Sequence, residues 1–207
     1  MYLFIDRAGL AVDVTRAGNG LVWRYWGRVV EFQEFADARM QNVDVRRAES
    51  LSDVEAVRQL WREYWESFGL PMDFQGFGQE VQGLPGAYGA EGGVLLLATY
   101  EDEPAGTIAL RRLERTSGEV KRLYLRPQFR GLGLGRRLLE VVIERARALG
   151  YESLYADTLP VMTEALSLYE RVGFDRVGAY SPAPTPGAIY MKLELVKRSG
   201  RALTEAL

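Results

Sequence analysis

A glycine-rich segment past the middle of the chain has the residue types of an anion-binding site. Gly131, Gly133 and Gly135 remove side chains where backbone amides must approach a ligand closely. Arg130 and Arg136 flank these glycines with positive charge, which suits charge-assisted hydrogen bonds to phosphate. A long amphipathic helix is predicted from Gly133, and a helix N-terminus favours negative charge. This pattern alone leaves two alternatives open, a phosphate-binding loop and a plain tight turn.

The same segment argues against the common nucleotide-binding folds. Its glycines do not follow the G-x-G-x-x-G spacing, and no Lys-Ser or Lys-Thr pair follows them as a Walker loop requires. The predicted helix also comes late in the chain, after an apparent run of antiparallel strands. A nucleotide-phosphate-binding protein of the Walker or Rossmann kind is therefore disfavoured.

Two residue types are absent, and their absence limits the chemistry of the chain. There is no Cys and no His. Disulfides, cysteine-based zinc sites, an acyl-cysteine intermediate and a Ser-His-Asp triad are all excluded. Any general base must be a carboxylate, a Tyr, a Lys or a chain of water molecules, and we expect no metal.

The composition is that of a single globular domain with an appendage. The chain has 207 residues, of which 47% are hydrophobic, and a formal net charge of −2. This balance gives no general attraction to nucleic acid or to an anionic membrane. No apolar run is long enough to span a bilayer, and Asp6 and Arg7 interrupt the region where a signal peptide needs an apolar core. We expect a cytoplasmic protein with neither nucleic-acid nor membrane partners.

The first 42 residues differ in pattern from the rest of the chain. Alternation from Leu10, a Gly-Asn turn after Ala17 and an aromatic-rich run to Val30 predict a β-hairpin, with a further strand at 29–35. This hairpin either packs on the main domain or uses Trp23, Tyr25 and Trp26 as a contact in a homodimer. The expected units are therefore residues 1–42 as an appendage, 43–196 as the main domain and 197–207 as a tail.

The main domain is predicted to alternate strands and helices. After a strand at 43–47, a helix begins at a capping box formed by Ser52 and Glu55, and its broad aromatic face is expected to be mostly core. The glycine-rich stretch 72–93, with a short helix at 74–81, is either a substrate loop or a tolerated insertion. The remaining predicted elements are strands at 94–100, 105–113, 119–125, 153–157, 174–177 and 188–195, and helices from 133 to 149 and from 161 to 171.

Two motifs in the predicted order resemble the GNAT superfamily of N-acetyltransferases. Arg130 to Gly135 is similar to the acyl-coenzyme A signature of that family, and Leu168 to Phe174 is similar to its helix with a Tyr before a Gly-Phe turn. The resemblance runs from about Val43 to Leu195. The stretches Asp157–Pro160 and Gly187–Met191 point further to a bacterial subgroup of unassigned specificity. Many family members have Asn at the place of Met162, and we expect the coenzyme contact of that Asn to be replaced.

The resemblance implies a fold and a coenzyme site. The fold would be α/β (α+β), with a central mixed, mostly antiparallel sheet flanked by helices and the N-terminal hairpin added. The pyrophosphate of acetyl-CoA would lie on the loop amides, and its pantetheine arm would extend the edge of strand 121–125 where that strand splays from strand 153–157. A backbone N–H near Leu123 or Tyr124 would stabilise the oxyanion. The implied coenzyme-binding residues are Leu123, Tyr124, Leu125, Arg130, Gly131, Leu132, Gly133, Leu134, Gly135 and Arg136.

The resemblance also implies direct acetyl transfer to a primary amine of a small molecule or peptide. Tyr169 would protonate the departing thiolate, or would simply pack beside the pantetheine. Glu119, acting through water, is the first choice for the general base, and Glu80 is the second. Tyr88 and Tyr180 would line the acceptor pocket. The alternative is a catalytically silent acyl-CoA-binding module on the same fold.

Overall fold

The structure, a computed structural model, describes residues 42–69, 76–181 and 185–195, together with the backbone of four N-terminal strands. These strands form one antiparallel sheet in the order β1-β2-β3-β4. Their bounds are Tyr2–Ile5 (β1), Ala11–Ala17 (β2), Gly20–Tyr25 (β3) and Arg28–Val30 (β4). The predicted hairpin is confirmed as β2 and β3, and the sequence missed β1.

Two of the N-terminal predictions fall on parts of the chain that are not described. The strand predicted at 29–35 is seen only as far as Val30. The side chains of Trp23, Tyr25 and Trp26 lie outside the described residues, so the homodimer contact stays a prediction.

The main sheet has seven strands in the order β10-β11-β9-β8-β7-β6-β5. Every neighbouring pair is antiparallel except β8 and β9, which are parallel, so the prediction of a mixed, mostly antiparallel sheet is confirmed. The strands are Val43–Arg47 (β5), Val94–Tyr100 (β6), Glu103–Glu114 (β7), Ser117–Leu125 (β8), Ser153–Thr158 (β9), Asp175–Val177 (β10) and Ile189–Glu194 (β11).

Five α-helices accompany this sheet in the described part of the chain. They are Leu51–Glu66 (α1), Phe77–Gln82 (α2), Gly86–Gly89 (α3), Leu134–Ala148 (α4) and Thr163–Val172 (α5). The short helix expected at 74–81 is α2, shifted towards the C-terminus. None of the described helices has the length and apolarity that a membrane span requires.

The capping box predicted for α1 is wrong. Ser50, not Ser52, is the N-cap, and its Oγ accepts a hydrogen bond of 3.0 Å from the Asp53 amide. Arg46 at the end of β5 donates to the Asp53 carboxylate from Nη2 at 2.9 Å, which holds Asp53 in the first turn. The helix therefore starts one residue after Ser50, and Ser52 and Glu55 lie inside it.

The sheet is buried on both faces, which explains the nearly pure apolar run of β6. Val94, Leu96 and Ala98 face the cluster formed with α4 and α5, whereas Leu95 and Leu97 face the cluster formed with α1, α2 and α3. Successive side chains of a strand point to opposite faces, so a central strand between two helical layers must be apolar at every position. These two layers fix the position of β8, the strand on which the site is built.

Candidate functional site

A cleft opens where the two parallel strands of the sheet part. Strands β8 and β9 pair from Ser117 with Ser153 to Val120 with Ala156. Beyond that point β8 continues to Leu125 and β9 to Thr158 without pairing to each other. The predicted splay between these strands is therefore present, and it leaves the edge of β8 accessible from the cleft. Two cavities, of about 640 and 120 Å³, lie along this opening.

A β-bulge interrupts β8 where this strand lines the smaller cavity. Lys121 pairs with Ala109 and Tyr124 with Thr107, so one residue of β7 faces two of β8. At the bulge Arg122 has a φ of +58°, in the left-handed region that is uncommon for a residue with a side chain. The normal alternation of a strand is broken there, and the four successive residues Val120, Lys121, Arg122 and Leu123 all line the smaller cavity.

The glycine-rich loop joins β8 to α4 and forms one wall of the larger cavity. Gly131 and Gly133 have φ values of +76° and +82°, a conformation that glycine adopts without steric cost. Gly133 is the N-cap of α4, so the first amides of this helix have no partner within the helix and are directed to its N-terminal end. A Cβ at Gly135 would lie 3.4 Å from Leu125 Cδ1, an ordinary van der Waals contact, so this glycine lies against the end of β8.

Nine of the ten predicted coenzyme-binding residues line the larger cavity. The exception is Leu132, which packs against the hydrophobic cluster on the α4 face of the sheet. Three arginines also lie at this cavity, namely Arg130, Arg136 and Arg171. Arg130 donates to the Leu125 carbonyl at 3.2 Å, which ties the loop to the end of β8. The cavity therefore combines free helix amides with three cations and one anion, Glu164, which lies 3.8 Å from Arg130.

Tyr169 lies on α5 and lines the smaller cavity. It is buried, with 4% of its surface exposed, and its ring lies 5.1 Å from that of Phe174. Burial raises the pKa of the Tyr169 hydroxyl, and the nearby Tyr64 and Asp157 raise it further. The phenol therefore keeps its proton at neutral pH, as a proton donor must.

Met162, which we expected to replace a coenzyme-contacting Asn, lines both cavities. Its sulfur accepts a hydrogen bond from Thr158 Oγ1 at 3.4 Å and one from the Tyr64 hydroxyl at 3.9 Å. A polarizable thioether thus lies at the junction of α1, β9 and α5, where a carboxamide would offer stronger donors and acceptors.

Glu119 is enclosed by cations and does not line either cavity. Its carboxylate accepts from Arg111 Nε at 2.6 Å, from Lys121 Nζ at 3.3 Å and from the Tyr180 hydroxyl at 3.0 Å. Burial raises the pKa of Tyr180, and the Glu119 carboxylate adds to that rise. Tyr180 itself packs on Tyr155 at 4.9 Å, next to the network rather than in a cavity wall.

Glu80 and Tyr88 reach the site through Arg122. The Glu80 carboxylate forms an ion pair with Arg122 and accepts a hydrogen bond from the Tyr88 hydroxyl. Burial alone would raise the pKa of Glu80, but the charge and hydrogen bond of Arg122 outweigh it and lower that pKa. Tyr88 is buried edge-on against Trp61 in the cluster under α1, and neither Glu80 nor Tyr88 lines a cavity.

Several side chains of the site were not predicted from the sequence as site residues. Tyr64 and Phe68 lie on the aromatic face of α1 that was expected to be mostly core, and both line both cavities. Trp61 and Trp65 on the same helix are buried as expected, although Trp65 also lines the smaller cavity. Further unpredicted residues that line the smaller cavity include Lys121, Arg122 and Asp157. The one sequence signal for them was the pair of adjacent cations within a strand otherwise rich in apolar residues.

Comparison with known proteins agrees with this geometry. The sequence model of the acetyltransferase (GNAT) family matches residues 54–174. An uncharacterized N-acetyltransferase of Schizosaccharomyces pombe is 34% identical over 75% of this chain and 97% of its own length. Another from Escherichia coli is 28% identical over 64% of this chain and 83% of its own. The expected restriction to a bacterial subgroup is thus not confirmed, since eukaryotic proteins also match.

A solved structure shares the fold. The PaiA N-acetyltransferase of Thermoplasma acidophilum, determined in complex with coenzyme A, superposes with a TM-score of 0.59 at 17% identity. The match covers 73% of this chain and 98% of that one. The predicted acyltransferase fold is confirmed.

Proposed function

The chain belongs to the acetyltransferase (GNAT) family, and we propose that it transfers the acetyl group of acetyl-CoA directly to a primary amine. The observation that carries this proposal is that nine of the ten residues expected to bind the coenzyme line one cleft, which meets the cavity of Tyr169. The acceptor is an amine of a small molecule or peptide. The chain has no Cys, which agrees with direct transfer within one ternary complex and rules out an acyl-cysteine.

In this proposal the larger cavity holds the coenzyme. The amides at the start of α4 and the guanidinium groups of Arg130 and Arg136 bind the diphosphate. The backbone of β8 at Leu123 and Leu125 pairs with the amide groups of the pantetheine arm, since this edge is not paired to β9. A related protein has been determined with coenzyme A, which supports the same ligand here.

The residues around the smaller cavity supply the proton transfers. Tyr169 gives its proton to the departing thiolate sulfur, and a backbone N–H at Leu123 or Tyr124 stabilises the oxyanion. Glu119 is the first candidate for the base that receives the amine proton, through water, because it does not contact the cavity directly. Glu80 is the second candidate, although its lowered pKa makes it a weaker base.

The experiment is a thiol-release assay with acetyl-CoA and a panel of primary amines, for the wild type and for Tyr169→Phe. We expect the wild type to release thiol only when an acceptor amine is present. Tyr169→Phe should lower kcat by about 10²- to 10⁴-fold, the usual contribution of a positioned proton donor, and should leave acetyl-CoA affinity nearly unchanged.

Tyr100→Phe is the matched control, because Tyr100 lies on β6 and lines neither cavity. Its kcat should equal that of the wild type. An unchanged kcat in Tyr169→Phe would contradict the proton-donor role. Tight binding of acetyl-CoA without turnover on any amine would instead identify the chain as a silent acyl-CoA-binding module.

A further inference from the structure

We propose that the smaller cavity receives the acceptor and selects a small amine that also carries a carboxylate group, as an amino acid does. This inference rests on the proposed acetyl transfer and names its substrate class. The acceptor ammonium would face Asp157, and the acceptor carboxylate would face Arg122.

The positions of the two cavities assign the smaller one to the acceptor. The glycine loop and its arginines line only the larger cavity, whereas Tyr169 lines only the smaller one. Leu123 and Met162 line both, so the two cavities meet at the end of the β8 bulge. A thioester delivered along β8 therefore reaches its acceptor at this junction, next to the hydroxyl of Tyr169.

The charged side chains of the smaller cavity fit an acceptor that has both charges. Its lining includes two cations, Lys121 and Arg122, and one anion, Asp157. Each of the three already has an opposite charge, since Lys121 pairs with Glu119 and Asp157, and Arg122 pairs with Glu80. An acceptor ammonium that displaces Lys121 from Asp157 leaves Lys121 on Glu119, and an acceptor carboxylate adds a second anion beside Arg122.

Asp157 is the carboxylate placed to hold the ammonium. Among Glu80, Glu119 and Asp157, it is the one that lines the cavity. Its Oδ1 accepts a hydrogen bond of 2.9 Å from Lys121 Nζ, which shows that the position binds an alkylammonium group. The same Lys121 Nζ lies 3.3 Å from Glu119 Oε1, so Glu119 can retain Lys121 when an acceptor ammonium takes its place on Asp157.

Arg122 is held rigidly enough to select a carboxylate. Its guanidinium carbon lies 4.9 Å from the Phe77 ring centroid and 5.7 Å from that of Trp65. The Glu80 ion pair fixes it from outside the cavity lining, and the environment raises the pKa of Arg122, so it stays charged. Its Nε is buried and has no hydrogen-bond partner within the described part of the chain. The guanidinium has five donors, and its partners are the Glu80 carboxylate and the Tyr64 hydroxyl, so donors remain for a ligand carboxylate.

The test compares kcat/KM for acceptor pairs that differ only by the carboxylate group. Suitable pairs are β-alanine with ethylamine, and L-leucine with 3-methylbutylamine. We expect the carboxylate member to be preferred by about 10- to 100-fold, the usual effect of one hydrogen bond between charged groups. Equal rates within both pairs, or faster acetylation of a lysine side chain in a neutral peptide, would overturn the inference.

Substitutions connect this preference to the named side chains. Arg122→Gln should bring the ratio within each pair close to one, and Arg122→Lys should give an intermediate ratio because Lys lacks the planar fork. Asp157→Asn should raise KM for both members of a pair by a similar factor. Arg112→Gln, an exposed change on the neighbouring strand β7, is the control and should leave the ratio unchanged.

The ratio of kcat/KM values within a pair does not change when part of the protein is unfolded, because both members of the pair lose the same fraction of enzyme. Acetyl-CoA binding, measured on each variant, gives the fraction that is still folded. If Arg122→Gln does not fold, the kcat/KM ratios of the wild type and of Arg122→Lys test the role of Arg122. Transfer to amines with no carboxylate preference would overturn this inference but leave the proposed function intact. Binding of acetyl-CoA with no transfer to any acceptor would overturn both.

Discussion

The ion pair between Glu80 and Arg122 is expected to stabilise the fold as well as to position Arg122. Glu80→Gln removes the negative charge but keeps an oxygen that can accept the Tyr88 hydrogen bond. The Arg122 guanidinium would then lie among the rings of Trp61, Trp65 and Phe77 without a compensating anion. Arg122 is also held at a positive φ, a conformation that persists only where its surroundings enforce it.

The size of the effect follows from the burial of the pair. Breaking a fully buried ion pair from one side costs about 3–5 kcal/mol. The Glu80 and Arg122 side chains are 23% and 16% exposed, so water offsets part of this cost. We therefore expect Glu80→Gln to lower the free energy of unfolding by about 2–3 kcal/mol.

Urea denaturation at pH 7 measures this change, and Glu140→Gln is the matched control. Glu140 pairs with Arg136 one turn earlier on α4, where the arginine and glutamate side chains are 73% and 39% exposed. Its removal should cost only about 0.3–0.5 kcal/mol. If Glu80→Gln costs no more than Glu140→Gln, the structural role assigned to the Glu80–Arg122 pair is refuted.

The same pair predicts a dependence of stability on pH. The pKa of Glu80 is lower in the folded chain than in the unfolded chain, where it is about 4.3. Its contribution is therefore complete above that value and is lost as the pH falls through the lower folded pKa. Asp53 and Glu63 also have lowered pKa values and shift stability in the same direction. Glu80→Gln keeps Asp53 and Glu63, so their effects cancel when the variant is compared with the wild type. The difference in free energy of unfolding between the two proteins should therefore disappear at acidic pH.

Two further substitutions test the loop and the core. Gly133→Ala adds a side chain at a φ of +82°, so it should lower the free energy of unfolding, measured in urea, by about 1–2 kcal/mol. It should also weaken acetyl-CoA binding, which calorimetry measures. Gly178→Ala is the control, because its added Cβ meets nothing within 4 Å, and it should leave stability nearly unchanged. Equal costs would contradict the loop geometry. Leu138→Ala in the α4 core should cost about 2–5 kcal/mol by the same measurement, and Leu149→Ala, 43% exposed, less than about 1 kcal/mol.

The parts of the site that the sequence predicted are those encoded in short stretches of chain. The glycines of the loop have local conformational requirements, and all three line the cleft. Tyr169 was identified through its own motif in α5, and its place in the cavity wall follows from the helix. The strands of the main sheet were predictable because their hydrophobic patterns set both their length and their burial.

The parts that were missed depend on contacts between distant segments. The bulge at Arg122 exists only in the pairing of β8 with β7, so alternation within β8 could not reveal that Lys121 and Arg122 share a cavity. The surroundings of Glu119 come from Arg111 on β7 and from Tyr180 beyond β10. The wrong N-cap of α1 has a local cause, because Ser50 and Asp53 have the same spacing in the sequence as Ser52 and Glu55, and the cap hydrogen bond joins Ser50 to Asp53.

Strand β8 contributes to both the acceptor site and the coenzyme site of the proposed reaction, and its bulge lies between the two. Before the bulge, Lys121 joins Glu119 to Asp157 on β9, while the strands are still close to their last pair at Val120 and Ala156. After the bulge, Leu123 and Leu125 line the larger cavity, where β8 no longer pairs with β9. A regular strand would place Lys121 and Arg122 on opposite faces of the sheet. The irregular backbone at Arg122 is thus what brings acceptor recognition within reach of the coenzyme edge.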